Sequence, residues 1–402
     1  MGQPSTFQYF RLFLILHLLV LGAFYLCIGC YVVVGSLHQG NLIDLSGKPV
    51  GADFVGFWAA SQVARTQDPG AVFSSGAITA AARKVIGAEI SPRHWNYPPT
   101  FLLLVLPLSA LPYLLSLLGW LAVTCIGYLS VVRRIFTASR AFWLFLVFPG
   151  AVANFLYGQN GYLSTAFLGG GLLLIDRYPF LGGAVLGLLS YKPQLACLIP
   201  VALAAGRNWK ALAGAAMSTA ALVAGSLLVF GAQVWAGFFN NLFLAAGLLE
   251  VPHLWPRMPT VFAAARLLGA NHELALALQA AAAVGAVAAV AWVWFRGLPL
   301  PLRGSILTLG IILATPYAFE YDLVILALPF AWLGREAYAR DWQGEEIFLL
   351  LAWTILAWAT LRPVWVWEGF KNFPLNLAVV AALTLLVVYR AGKNFCVENG
   401  RR

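Results

Sequence analysis

Tyr113–Val132 reads YLLSLLGWLAVTCIGYLSVV, twenty residues without a charge, and Arg133-Arg134 closes it. A helix rises about 1.5 Å per residue, so this stretch reaches about 30 Å, the thickness of a bilayer's hydrocarbon core. Runs of the same character lie on both sides of it: Phe10–Val34, Ala141–Tyr157, Gly161–Ile175, Phe180–Tyr191, Gln194–Ala205, Ala211–Phe230, Leu274–Phe295, Gly304–Thr315, Tyr321–Leu333, Ile347–Leu361 and Pro374–Tyr389. With Tyr113–Val132 they make about twelve crossings. Of the 402 residues, 61% are hydrophobic and 10% charged, against about 25% charged in a soluble domain. The expectation is an all-α polytopic membrane protein, one membrane-embedded domain over residues 1–402. No fixed-period repeat is visible.

A net charge of +10 invites a nucleic-acid partner, but its distribution argues against one. Basic residues punctuate the apolar runs, as the positive-inside bias requires, and form no stripe with interleaved aromatics. With the N-terminus inside, the cytoplasmic segments hold Arg11, Arg133, Arg134, Arg140, Arg177, Arg207, Lys210, Arg296, Arg303, Arg335, Arg340, Arg390, Lys393, Arg401 and Arg402, fifteen of the 25 basic residues. Both termini are therefore expected in the cytoplasm. Phe10–Val34 exceeds the about 7–15 residues of a signal-peptide core and is expected to stay as an uncleaved first helix. Cys27 and Cys30 read better as two small apolar helix residues than as a redox pair.

Two places depart from simple crossings. Pro98–Leu111 would span only about 21 Å as a helix. Counting it as a crossing would move Arg133 and Arg134 outside, so a re-entrant or interfacial helix fits the charges better. Phe180–Tyr191 and Gln194–Ala205 would each span about 18 Å. The Tyr191-Lys192-Pro193-Gln194 turn between them is expected below the outer membrane surface, where irregular backbone must line a cavity or be buried in protein. A lysine at that depth is costly and marks a functional-site candidate. As a compact cation it suits a phosphate; the alternative is a side chain that snorkels to the surface and anchors a helix end.

Residues 35–112 form the first non-cytoplasmic loop on this path, with an interfacial helix and the re-entrant segment. Within Asp53–Arg65, helical spacing sets Phe54, Phe57, Trp58, Ser61 and Arg65 on related faces, an aromatic stripe suited to the interface. Asp53 opens that helix. It is either an N-cap or a carboxylate able to take a proton from a hydroxyl at the membrane surface. Asp68-Pro69-Gly70 reads as a turn or helix start. Asp44, Asp68 and Glu89 are the other loop acids, and no two loop acids sit two residues apart, so an Asp-x-Asp metal-chelating pair is missing. His94 and Tyr97 lie in His94-Trp95-Asn96-Tyr97-Pro98-Pro99 at the loop's end. His94 is either a phosphate ligand or base, or an ordinary interfacial histidine.

The remaining outer polar residues each carry two readings. Gln159 and Asn160 could bond the hydroxyls of a polar substrate, although Asn-Gly also favours a turn. Arg257 is a second outer cation for phosphate, with His253 and Trp255 beside it; an aromatic such as Trp255 could stack on a substrate ring or simply sit in the interface. Glu320 and Asp322 could bind an acceptor or assist a base, or cap the helix that follows.

Four stretches, Asp53–Phe73, Asn96–Pro112, Gly158–Leu203 and Thr315–Leu333, in this order and on this hydropathy pattern, resemble bacterial glycosyltransferase family 87, within the membrane superfamily called GT-C. The resemblance implies a GT-C-like bundle of about twelve helices in the bacterial inner membrane, with its active site facing outward. It implies inverting transfer of a hexose, mannose foremost, from a polyprenyl-phosphate donor to a lipid or glycan acceptor. In that superfamily an acid of the first outer loop is the base, and Asp53 occupies the matching place. A single acid instead of a pair fits a metal-independent enzyme without a cofactor. Competing readings are a transporter or flippase of lipid-linked intermediates, for which the chain shows no matching halves, and a non-catalytic scaffold for envelope assembly. The scaffold reading requires Asp53 and Lys192 to share no site.

Overall fold

The computed structural model describes residues 6–38, 42–44, 47–137, 141–339, 343–361 and 373–399. Arg140, Arg340, Arg401 and Arg402 of the expected cytoplasmic set lie outside them, as does the side chain of Arg11. The described residues are predominantly helical, and among them the only β feature is an isolated bridge between Ile43 and Pro49.

The helices are, in order, α1 (Thr6–His38), α2 (Phe54–Thr66), α3 (Ser75–Ile86), α4 (Pro99–Val105), α5 (Tyr113–Ile135), α6 (Pro149–Tyr157), α7 (Gly161–Leu174), α8 (Pro179–Gly187), α9 (Pro193–Ala196), α10 (Ile199–Ala205), α11 (Trp209–Phe230), α12 (Ala232–Ala246), α13 (Val261–Leu267), α14 (His272–Phe295), α15 (Leu300–Ala314), α16 (Ala327–Ala339), α17 (Gln343–Leu361) and α18 (Leu375–Asn399). Among the described residues five are long and apolar enough to cross a membrane: Tyr113–Ile135, Trp209–Phe230, Ala232–Glu250, His272–Phe295 and Leu375–Lys393. These five do not reach the expected count of about twelve, and Ala232–Glu250 is a candidate that the twelve runs do not include. The runs between Gly161 and Ala205 divide into short pieces, because Pro179, Pro193 and Pro200 each occupy the first turn of a new helix.

Helices α8 and α11 approach backbone to backbone. A Cβ at Gly183 would sit 1.8 Å from the Ala211 carbonyl oxygen, and one at Gly214 2.0 Å from that of Phe180. Small residues at such a crossing let dispersion contacts replace the hydrophobic drive that lipid does not supply. Large apolar side chains point outward instead: Leu228 is 87% exposed, and Val123 and Leu385 are 71% exposed, as a lipid-facing surface requires.

Pro98–Leu111 forms α4 and a following 3-10 turn, Leu106–Ala110. Both its ends lie on α2. Phe101 meets Phe57 edge-on at 5.1 Å, the Ser61 hydroxyl donates to the Leu106 carbonyl at 2.6 Å, and Trp58 Nε1 donates to the Leu111 carbonyl at 3.1 Å. Phe57 and Trp58, adjacent on α2, thus meet the beginning and the end of the segment.

The aromatic stripe of α2 turns inward rather than to the interface. Phe54, Phe57 and Ser61 are buried; Trp58 and Arg65 remain at the edge. Phe54 packs on Tyr113 and Trp120 of α5, and Phe101 stacks on Tyr191 at 4.9 Å. These rings join α2, α4, α5 and the turn before Lys192 into one wall. Helix α12, which falls between two of the apolar runs, lies against the first loop: Phe73 meets Phe238, and Asn241 Nδ2 donates to the Trp95 carbonyl at 3.0 Å.

The opposite end of the bundle gathers basic residues of the expected cytoplasmic set. Arg303 Nη2 donates to both carboxylate oxygens of Asp176 at 2.8 Å. Arg335 donates to the Ile135 carbonyl, and Arg390, 6% exposed, pairs with Glu336 and Glu345. Cys27 and Cys30 are free and exposed on α1.

Candidate active site

Asp53 stands at the N-cap position of α2, yet its carboxylate caps nothing. The backbone there is helical (φ −88°, ψ −22°), which turns the side chain away from the free N–H groups of the first turn. Its backbone N–H donates to the Tyr157 carbonyl at 3.0 Å, tying the start of α2 to the end of α6. The carboxylate accepts a hydrogen bond from Gln159 Nε2 at 3.0 Å and lies 3.9 Å from the Arg93 guanidinium. Its side chain is 31% exposed.

Gln159 is placed by a tight corner. Helix α6 ends on Gly158 in the left-handed region (φ +63°), where a Cβ would also meet Phe54 at 2.6 Å. Only glycine meets both demands. The corner then turns into α7 through Asn160, and Asn154 Oδ1 accepts from the Gly161 N–H at 2.6 Å. Gln159 Oε1 accepts from the Tyr97 hydroxyl at 3.3 Å and the Asn160 N–H at 3.1 Å, and Trp120 Nε1 donates to the Gln159 carbonyl.

Asn160 is completely buried. Its Oδ1 accepts from Lys192 Nζ at 2.9 Å, and its carbonyl accepts from the Tyr191 hydroxyl. Lys192 sits at the break before α9, 2% exposed, and its ammonium also donates to Asp322 Oδ1 at 2.5 Å. It lies 5.3 Å from the centre of the Tyr321 ring. Asp322 Oδ2 accepts from the Phe319 N–H at 3.1 Å, a local helix-start bond. Helix α7 reaches this turn because Gly161 has no side chain: a Cβ there would lie 2.4 Å from the Tyr321 carbonyl oxygen.

Arg257 completes the cluster. Its Nε donates to Glu320 Oε1 at 2.7 Å, and its guanidinium lies 4.8 Å from the Tyr157 ring and 5.6 Å from the Phe319 ring. Burial works against its charge, but Glu320, Tyr157 and Asp53 outweigh that and hold its pKa above the ordinary value. A third of the side chain, 34%, stays exposed. Burial is the largest influence on the hydroxyls of Tyr97 and Tyr317, and the Asp53 charge adds to it at both.

Asp53, Tyr97, Gln159, Asn160, Lys192, Arg257, Glu320 and Asp322, picked out separately along the sequence, therefore come together. Trp255 is near but spoken for: its Nε1 donates to the Leu249 carbonyl and Arg266 lies over its ring at 4.6 Å. His94 and His253 are exposed, and no hydrogen bond joins either ring to the cluster among the described residues. Asp68 accepts from the Gly70 N–H at the start of a 3-10 turn. Arg93, Tyr157, Tyr317 and Tyr321 are site residues that sequence reasoning missed. Only Arg93 carried a signal, as it directly precedes the polar-aromatic run His94-Trp95-Asn96-Tyr97. Among the described residues no group of three or more His, Cys, Asp or Glu is placed to hold a metal ion.

A helical membrane protein that gathers three acids, a lysine, two guanidinium groups and several tyrosines in one cluster is the class that fold and site define. The family model of glycosyltransferase family 87 matches residues 95–316, more than half of the chain, and the chain belongs to that family. It is a membrane glycosyltransferase, with a sugar donor and an acceptor as substrates. The matched residues include Tyr97, Gln159, Asn160, Lys192 and Arg257; Asp53, Glu320 and Asp322 lie outside them. No curated protein and no solved structure matches the chain.

Proposed function

We propose that the protein moves a hexose, mannose foremost, from a polyprenyl-phosphate donor to a lipid or glycan acceptor on the non-cytoplasmic face of the bacterial inner membrane. The reaction is an inverting GT-C type displacement. An acceptor hydroxyl attacks the anomeric carbon, Asp53 takes its proton, and the sugar–oxygen bond to the carrier phosphate breaks as the new glycosidic bond forms. The carrier leaves as polyprenyl phosphate. One observation carries this reading: the Asp53 carboxylate, released from capping, is held by Gln159 and Arg93 within electrostatic reach of Arg257.

Arg257 suits the leaving phosphate. A planar guanidinium fixed by Glu320 and two aromatic rings loses little freedom on binding an anion. The sequence offered Lys192 beside it; the geometry favours Arg257, because the Lys192 ammonium already serves Asp322 and Asn160. Tyr97, Tyr317 and the Gln159–Asn160 corner supply hydrogen-bonding groups for the sugar. Two residue-to-residue links, Asp53 to Gln159 and Asn160 to Lys192, speak against a scaffold in which Asp53 and Lys192 share nothing.

The test is incubation of the purified protein with a panel of polyprenyl-phosphate sugars and a membrane lipid extract, with products read by mass spectrometry. Asp53→Asn is expected to lower transfer by about 10²- to 10⁴-fold, the usual share of a general base, while donor binding persists. Unchanged turnover in that variant removes Asp53 from the mechanism. Donor crossing liposomes with no glycosidic product would favour transport.

A further inference from the structure

We propose that the buried Lys192–Asp322 ion pair is a positioning device that sets the direction of a hydrogen-bond chain ending on Asp53. The inference rests on the reading of Asp53 as the base.

The chain starts at fixed backbone. Asp322 Oδ2 is held by the Phe319 N–H, which leaves Oδ1 for Lys192. An ammonium only donates, so Asn160 must present its carbonyl oxygen to Lys192, as it does at 2.9 Å. The flipped amide would set Nδ2 against Nζ, donor against donor. Asn160 Nδ2 is thereby turned away from the lysine. It is buried and interacts with the Tyr97 hydroxyl, which in turn donates to Gln159 Oε1.

The next amide is set in the same way. The Asn160 N–H and the Tyr97 hydroxyl both donate to Gln159 Oε1, so Gln159 Nε2 faces Asp53. The Gln159 N–H aimed at Asp53 fixes the direction in which the carboxylate faces. Lys192 and Asp322 thus act on Asp53 through the Asn160 amide, the Tyr97 hydroxyl beside it and the Gln159 amide. A phosphate could reach Nζ only by displacing both partners from a site that is 2% exposed at Lys192 and 1% at Asp322.

The test compares Lys192→Met, Asp322→Leu and the double variant in the full-length protein. Each single change strands a charge in the interior and is expected to destabilise the fold; removing both relieves this. The double variant is expected to keep wild-type affinity for undecaprenyl phosphate as the probe. Its turnover of polyprenyl-phosphate mannose should fall about 10- to 100-fold, the usual cost of a misplaced reacting group. Backbone amides of Gln159, Asn160 and Gly161 should exchange hydrogen faster.

A stable double variant with wild-type turnover makes the pair merely structural and overturns the proposal. Loss of undecaprenyl phosphate affinity with turnover unchanged at saturation overturns it too, by making Lys192 a donor ligand. Asn160→Ala, which leaves the ion pair in place, keeps the idea testable should the double variant not fold. Its turnover must fall similarly, and wild-type turnover there is a refutation. Asp53→Asn separates the two readings, since normal turnover in that variant dismisses the base while the exchange rates at the corner still report on the ion pair.

Discussion

Asp53 and Arg257 carry the same lesson at the scale of single residues: a charged group acquires a role when its obvious local partner is withheld. Asp53 has helix N–H groups within a turn and bonds instead to Gln159, 106 residues away. Arg257 ends a short 3-10 turn and is fixed by Glu320, 63 residues on. Replacing Arg257 with lysine keeps the charge but loses the planar fork that Glu320, Tyr157 and Phe319 hold. The expected outcome is a donor Kd weakened by about 10- to 100-fold, the worth of a hydrogen bond to a charged group, with stability largely retained. Calorimetric titration with undecaprenyl phosphate checks it. His94→Ala and His253→Ala should each leave transfer within about twofold of wild type, since exposed side chains without partners contribute little; a larger loss would give these histidines a part in substrate binding.

At the scale of elements, the site depends on helices that stop early. Helix α6 ends at Tyr157 and α7 begins at Gly161, and the three residues between them carry the corner that meets Asp53, Tyr97 and Lys192. Gly161→Ala places a methyl against the Tyr321 carbonyl and should destabilise the protein by about 1–3 kcal/mol, the usual cost of overpacking, visible as a lower unfolding temperature in detergent. The polar residues of this corner were legible in the sequence because each stands in an apolar setting where a polar group is costly. Their partnerships were not. No spacing rule brings Asn160 to Lys192, or Lys192 to Asp322, across 32 and 130 residues. The inward turn of the α2 stripe was misread for a related reason. Helical periodicity says which residues share a face, while α5 and α4, packing against it, decide that Phe54 and Phe57 are core.

For the whole molecule, apolar runs and charge placement fixed the class, and the proline breaks made the number of spanning helices unreadable from run length alone. The two ends of the bundle differ in kind. One carries the polar cluster around Asp53, and the other carries the Arg303–Asp176 and Arg390–Glu336 pairs. In a variant lacking native cysteines, a cysteine at Glu89 should react with a membrane-impermeant thiol reagent in intact cells, whereas one at Lys210 should react only after the membrane is opened. The reverse pattern would invert the proposed orientation. The Lys192–Asp322 pair also bears on descent. A change at either position alone leaves a bare charge in the interior, so single steps away from the pair are disfavoured at both. Among homologous chains the two residues should be inherited as a unit, kept together or lost together, and a lineage holding one without the other should show a new counter-charge against the same cluster.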